Sequence, residues 1–376
     1  MDSPVAQTAF PIPSYIPQFD GLRGLSILAV FVAHSSFLRS LPHASFLEYG
    51  RVGVDLFFVL SGFLITGILL DTKSSHHYFR NFYARRALRI WPLYYVMLIL
   101  VLGLCARFTP NASQQVKHAW PYFFLYLQNL RPHLFIPFGL EPTWSLAIEE
   151  QFYLTWPMLI FVFKRRVLVL ALVGAVVLSL ALRIFGFEHG ASLKFIHNFT
   201  FCRLDAIALG SLSAIWLRSG KCTTALWRRY SLYFLLAGGA GVIASRILFH
   251  QQSTVISYTF LAIGFTGFLG MALISENDGS VLKSLLNRRW LCGIGKISYG
   301  LYLLHMPLFL IFESYSQGHP IFANSAVLRN LTWGSAQVLA AFVAAAISWH
   351  FFESPILRLK SSFPRQQGIA LLRSGS

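Results

Sequence analysis

Phe19–Thr66 reads FDGLRGLSILAVFVAHSSFLRSLPHASFLEYGRVGVDLFFVLSGFLIT, two apolar runs joined by a short polar turn. The stretch carries three groups that an apolar surrounding resists: Arg23, His34 and Asp55. In a helix, the eleven residues from Arg23 to His34 cover about 16 Å of axis. At about 100° per residue, eleven steps return close to the starting direction. Arginine and imidazole then share one helix face, one at its edge and one well inside. Asp55 opens the second run, on the side toward which the first helix points. A cation at one edge with a His/Asp set deeper suits chemistry carried across a membrane.

Composition widens that reading to the whole chain. Of 376 residues, 55% are hydrophobic and 12% charged, and the mean hydropathy is +0.58. Soluble domains carry about 25% charged residues, so this balance belongs to a multi-pass membrane protein. The 35 Phe, 15 Tyr and 9 Trp agree with lipid contact and interfacial anchoring. Cys105, Cys202, Cys222 and Cys292 stand far apart and show no metal-ligand spacing; no metal site is expected. A Cys105–Cys202 disulfide is open to the chain, since both fall on the outer side. Residues 1–18, with Pro4, Pro11, Pro13 and Pro17, read as an irregular tail, and no cleavable signal is apparent.

A spanning helix needs about 20 largely apolar residues. Ten runs qualify: 22–41, 54–70, 91–107, 144–163, 166–185, 203–218, 230–248, 255–274, 297–312 and 331–352. Those at 54–70 and 297–312 are short, as for tilted or protein-shielded spans. Trp120–Leu130 is too short to cross and suits the interface or a partial entry. Of the 31 Lys and Arg, ten fall on one side of this scheme: Arg39, Arg51, Arg107, Lys117, Arg131, Arg183, Lys194, Arg203, Arg246 and Arg329. The remaining 21 fall on the other, which the positive-inside rule makes cytoplasmic. The expected fold is therefore all-α, with ten crossings and both termini cytoplasmic. Residues 19–358 form the transmembrane domain and 359–376 a cytoplasmic tail. The net charge of +17 is then explained by inner-side cations facing anionic lipid, and nucleic acid is not needed.

Four constellations can carry chemistry. In Tyr83–Tyr95, Arg85 and Arg89 are four residues apart and Arg86 and Arg89 three, so they can converge on one anion. The planar guanidinium fork suits phosphate, and Arg23 offers a fourth cation; ordinary positive-inside charge is the competing reading. His34 sits inside a span, where ionisable groups are costly and usually functional. Asp55 is the candidate to fix its tautomer for proton transfer, or else a helix-capping carboxylate. In PTWSLAIEEQFYLTW, Ser145 and Glu149 share a face, and adjacent Glu149 and Glu150 cannot both point the same way. Arg203 and Asp205 offer partners, in an ion-pair network that either assists catalysis or only joins helices. In KISYGLYLLHMPLF, Ser298, Tyr302 and His305 share a face, with a bend expected at Pro307. Glu353 closes the last run as a counter-charge for the arginines. Nucleotide-binding glycine loops, zinc-protease and serine-hydrolase signatures are absent.

Together FDGLRG with His34, GVDLFFVLSGFLIT, FYARRALRI, EPTWSLAIEEQFYL, RLDAIALG, SYGLYLLH and WHFFESP resemble the membrane acyltransferase-3 family, over about residues 15–358. The resemblance implies an integral-membrane O-acyltransferase of the kind that modifies O-antigen, exopolysaccharide or peptidoglycan. Such proteins take an acyl group, usually acetyl, from cytoplasmic acyl-CoA and deliver it to a hydroxyl of a glycan, glycolipid or other outer acceptor. By position, His34 resembles the essential first-helix histidine and Asp55 its acidic partner. Arg86 and Arg89 match the arginine pair of the CoA side, with Arg23, Arg85 and Ser298 as helpers. Glu149 or Glu150 falls in the family's acidic block. His350 stands near where many members carry arginine. Tyr302, Ser298 or His305 are candidates to stabilise the oxyanion. The chain resembles the stand-alone members, without an SGNH domain, of a bacterial inner membrane. The rival readings are a transporter or flippase for a glycan-linked lipid and a lipid-facing scaffold.

Overall fold

The computed structural model describes residues 16–35, 53–108, 113–131, 134–249, 252–274, 280–318 and 325–364. Most of the expected N-terminal tail, the end of the run at 22–41 and residues 365–376 of the C-terminal tail lie outside it. The described residues are helical: α1 (Pro17–His34), α2 (Gly53–Asp71), α3 (Tyr78–Phe108), α4 (Ser113–Phe124), α5 (Thr143–Val162), α6 (Arg165–Glu188), α7 (Leu193–Asn198) and α8 (Leu204–Leu217). There follow α9 (Thr224–Phe249), α10 (Ser253–Ile274), α11 (Val281–Leu286), α12 (Arg289–Lys296), α13 (Ser298–Gly318) and α14 (Ala326–Ser348). A π-helical turn, Trp349–Glu353, leads into the short α15 (Ser354–Arg358). Serine hydroxyls cap three helix starts: Ser192 accepts from the Phe195 N–H, Ser280 from Lys283 and Ser325 from Leu328, the residue type that satisfies a helix's first free N–H groups.

Each of the ten apolar runs falls on a helix, and the protein is an all-α polytopic membrane protein. Among the described residues, six helices are long and apolar enough to cross a membrane, seven if the bent pair α12–α13 counts as one span. α8 has only 14 residues. The expected start at residue 91 is late by more than three turns, because the arginine-bearing segment before it belongs to the same helix, α3. The sharp break near the ninth run, 70° between α12 and α13, precedes Ser298. α13 itself continues through Pro307, where the bend was expected.

The chain resolves into two compact units, each assembled from separate stretches. The first comprises residues up to Arg23, Asp55–Asp71 and Met158–Gly295. Within it α9 and α10 pack along each other and α6 packs on α8 and α10. Helix α2 crosses α8 at backbone contact: a Cβ on Gly62 would lie 2.0 Å from the Ile207 carbonyl oxygen, and one on Gly210 2.1 Å from that of Val59. Backbone cannot retreat as a side chain can. Gly62→Ala is therefore expected to lower stability by about 1–3 kcal/mol, the cost of overpacking, read as an earlier thermal unfolding of the solubilised protein. Only 17% of the apolar window of α9 is buried, against 78% for α2. Helix α9 thus leaves most of its apolar surface uncovered by protein, while α2 is shielded by protein, one of the two readings its short run allowed.

The second unit comprises Gly24–Val54, Thr72–Pro157 and Lys296 onward. Here α13 packs on α14, and α3 touches α4, α13, the π turn and α15. The piece at Trp120–Leu130, too short to span, ends α4 and turns back against α3. The Tyr94 hydroxyl donates to the Phe123 carbonyl at 2.7 Å, and the Tyr94 and Tyr126 rings stack at 4.4 Å.

Candidate active site

The second unit holds most of the candidate residues. At the start of α3, Arg85 donates to the carbonyls of Lys360 and Phe363, both at 2.9 Å, and Asn81 donates to that of Pro364 at 2.9 Å. These bonds fasten the C-terminal turn to α3. Arg86 lies over the rings of Phe82 and Tyr153, 5.9 and 5.8 Å from their centroids, where the ring faces attract a guanidinium. Arg89 follows one turn later, and the next residue, Ile90, accepts a 2.6 Å hydrogen bond from the Tyr299 hydroxyl.

That bond ties the arginine segment to α13, which carries a ladder of polar groups. Ser298 is buried at its start. The Tyr302 and Ser145 hydroxyls lie 2.6 Å apart and both reach the Pro142 carbonyl, at 2.9 and 3.2 Å, so that one donates to the carbonyl and the other to its neighbour. The loop bearing Pro142 reaches α13 through Gly139, which has φ +75° and whose added Cβ would lie 2.7 Å from the backbone of Pro307. Only glycine meets both demands.

Above Tyr302 stands His305, fully buried, its ring 5.3 Å from that of His34. Phe31 and Phe309 flank it at 5.3 and 5.6 Å. In both imidazoles Nδ1 faces a helix carbonyl: Val30 at 2.9 Å for His34 and Tyr302 at 2.7 Å for His305. A carbonyl only accepts, so each Nδ1 carries the hydrogen and each neutral ring keeps its lone pair on Nε2. The buried Nε2 of His305 has no hydrogen-bond partner among the described residues. In this tautomer His305 offers an acceptor at Nε2.

The two acids of α5 diverge as their adjacency requires. The Trp91 indole donates to Glu150 at 3.1 Å. Glu149 follows Ser145 by one turn and lies in the electrostatic neighbourhood of Tyr302. Gln151 anchors this segment by donating to the Tyr126 carbonyl at 2.8 Å and to Asn129 at 2.9 Å. Tyr126 has φ 55°, a left-handed backbone unusual for a bulky residue.

Asp55 belongs to the first unit and pairs there with Arg203. Arg183 binds Asp205 at 2.8 Å and the Val255 carbonyl at 2.8 Å. Thr259 donates to Asp205 at 2.8 Å. The Tyr258 ring lies 4.0 Å from the Arg203 guanidinium carbon, and its hydroxyl meets His197 Nδ1 at 2.8 Å. Two cations and two anions, all essentially inaccessible, make a neutral set. Cys202 is a free thiol; Cys105, the other half of the disulfide considered above, has its side chain outside the described residues. Burial pushes the Cys202 thiol up despite Arg183 and Arg203 beside it, which disfavours a thiolate nucleophile. Arg23, at the other end of α1 from His34, forms a 2.8 Å ion pair with Asp20.

The structure thus brings together His34 with His305, Tyr302 with Ser145, and Glu150 with Trp91, and it pairs Asp55 with Arg203. Sequence reasoning counted Arg183 only as an outer-side charge. Its position inside the apolar run 166–185 was the available signal, since a charge there requires a partner.

Comparison with known proteins bears on this arrangement. The acyltransferase-3 family, described as an acyltransferase domain, matches residues 16–352. The chain is 30% identical to the peptidoglycan O-acetyltransferase OatA of Listeria monocytogenes over 91% of its own length and 56% of the relative's. It is 29% identical to the putative peptidoglycan O-acetyltransferase YrhL of Bacillus subtilis, covering 91% and 55%. It is also 29% identical to the O-acetyltransferase OatA of Staphylococcus aureus, covering 92% and 57%. The chain therefore spans little more than half the length of these curated relatives. No solved structure matches it.

Proposed function

We propose a reaction for this chain from one premise: it belongs to the acyltransferase-3 family. At that level it is a multi-pass membrane acyltransferase, and its named relatives are bacterial. The proposed reaction transfers an acyl group, acetyl in the first instance, from cytoplasmic acyl-CoA to a hydroxyl of a glycan or glycolipid on the outer side. The carrying observation is that one helix, α13, links the arginine segment to the imidazole pair. From Tyr299, bonded beside Arg89, to His305 is six residues, about 9 Å of axis. A donor whose phosphates rest on Arg86 and Arg89 needs to extend only its pantetheine arm along that helix, while the nucleotide stays at the inner rim.

In this reading the residues divide the work. His34 Nε2, its tautomer set by Val30, takes the proton of the acceptor hydroxyl as the oxygen attacks the thioester carbon. The C–S bond then breaks and the CoA thiolate leaves, with the proton returning to sulfur. The alternative order, in which His34 first accepts the acyl group and the acceptor then displaces it, uses the same nitrogen. Tyr302 and Ser145 hold α5 to α13 below the imidazoles, with Glu149 one turn beyond Ser145 on α5. Arg85 serves as a brace, and Asp55 acts through the ion network it shares with Arg203. The ten crossings with cytoplasmic termini belong to this proposal too. They are supported by ten apolar runs on ten helices and by the Lys/Arg asymmetry of the loops. Cysteine labelling from either side of sealed vesicles tests them.

The decisive assay supplies radiolabelled acetyl-CoA to the protein in sealed vesicles containing envelope glycolipids and follows label into an alkali-labile ester. Movement of unmodified glycolipid with no labelled ester would favour the transporter instead. Replacing Arg86 and Arg89 together by Gln should weaken CoA binding about a hundredfold or more, since each lost charge-assisted contact is worth about 1.5–3 kcal/mol. Unchanged affinity at low salt would show that the pair supplies only topological charge.

A further inference from the structure

Glu353 is almost completely buried, and it does not come to its place by ordinary helix geometry. The backbone from Trp349 to Glu353 is π-helical, an extra residue in the turn that shifts every later side chain around the helix. Such turns are rare and recur at functional sites. The carboxylate accepts from the Ser348 hydroxyl at 3.0 Å. It lies where a Cβ on Gly300 would sit, 2.7 Å from its Oε1, so the glycine of the SYGLYLLH motif leaves room for this carboxylate. One residue before that glycine, Tyr299 is bonded to the carbonyl that follows Arg89, and the π turn itself packs on α3. Arg89 is the cation in the electrostatic neighbourhood of both Glu353 and Tyr299.

We propose that Glu353 is a positioning residue that holds the guanidinium of Arg89 in the orientation in which it receives a phosphate of the acyl-CoA donor. An arginine on a flexible stem, at an apolar rim, loses affinity to every orientation that does not meet the ligand. A fixed carboxylate behind it removes those orientations before binding and keeps the side chain from folding onto other acceptors. Ser348, Gly300 and the π turn fix the carboxylate in turn. This inference rests on the reading that Arg86 and Arg89 hold the donor's phosphates.

The experiment measures equilibrium binding of CoA and 3′-dephospho-CoA to the full-length protein in detergent, for the parent, Glu353→Gln, Glu353→Asp, Arg89→Gln and the double variant Glu353→Gln/Arg89→Gln. Glu353→Gln should weaken CoA binding about tenfold, the size of one lost charged contact, and Glu353→Asp should recover part of it. In the Arg89→Gln background, Glu353→Gln should add nothing, because there is no guanidinium left to orient. Ser348→Ala, which keeps the charge and releases one bond, should weaken CoA in the same direction and serves should Glu353→Gln not fold. Additive losses in the double variant would overturn the proposal in favour of a purely structural glutamate. Tighter CoA binding by Glu353→Gln would overturn it too, since the carboxylate would then compete with the donor. If Arg89→Gln itself leaves CoA affinity unchanged, the donor-site reading falls together with this one. Loss confined to the glutamate variants' coupling removes this one alone.

Discussion

Replacing His34 by Gln is expected to lower acyl transfer about 10²–10⁴-fold, the range for removing a positioned proton acceptor, with CoA affinity unchanged. The expectation follows from how the ring is held. Its Nδ1–H is spent on the Val30 carbonyl one turn below, so the imidazole cannot switch tautomers without breaking that bond, and the basic lone pair stays on Nε2. Glutamine has comparable reach and polarity, but its amide nitrogen is no base at neutral pH. CoA release in a single turnover, measured with acceptor present, checks the chemical step. Parallel CoA binding separates it from damage to the donor site. A rapid acid quench then distinguishes the two orders of events: label bound to protein before any appears in the acceptor marks an acyl-enzyme. Full turnover in a properly inserted His34→Gln protein would leave the mechanism without its base.

The second large effect concerns stability. Arg183→Met is expected to cost about 3–5 kcal/mol, the penalty for stripping one partner from a buried ion pair. Asp205 would keep the Thr259 hydroxyl and the Ala206 N–H, but its charge would stay buried without the guanidinium 2.8 Å away. Methionine fills much of the arginine stem's volume, so the loss reports charge rather than a cavity. Neutralising both members, as Arg183→Met with Asp205→Asn, should restore a large part of the stability, because the pair costs less to remove whole than in half. Thermal unfolding in detergent of the two single variants and the double forms the cycle. A double variant as unstable as the sum of the singles would mean that hydrogen bonds to Val255 and Thr259, not charge balance, hold α6 to α8 and α10.

What the amino-acid order revealed follows from which interactions are local. Apolar runs announce helices because burial and lipid exposure act on every residue of a run, and all ten runs lie on helices. Four of those helices do not by themselves meet the length and hydropathy demanded of a span: α1, α5 and α8, with α13 qualifying only together with α12. α1 carries Arg23 and His34 and α5 carries Glu149 and Glu150, so the residues that make these two chemically interesting also dilute the hydropathy that would identify them, whereas α8 is apolar but only 14 residues long. Facing within one helix was legible as well, as with Ser298, Tyr302 and His305 along α13. Pairing between helices was not. The bond of Asp55 to Arg203 joins residues 148 apart, and periodicity carries no information about which helices are neighbours. The π turn at Trp349–Glu353 was invisible for a related reason: nothing in WHFFE differs in composition from an ordinary last turn.

The bonds from Arg85 and Asn81 to the carbonyls of Lys360, Phe363 and Pro364 have a practical corollary. Any reporter or affinity handle grafted directly behind Pro364 pulls on the root of the helix that presents Arg86 and Arg89. A spacer long enough to leave those carbonyls undisturbed belongs in every such fusion, or the handle itself will shift the start of that helix.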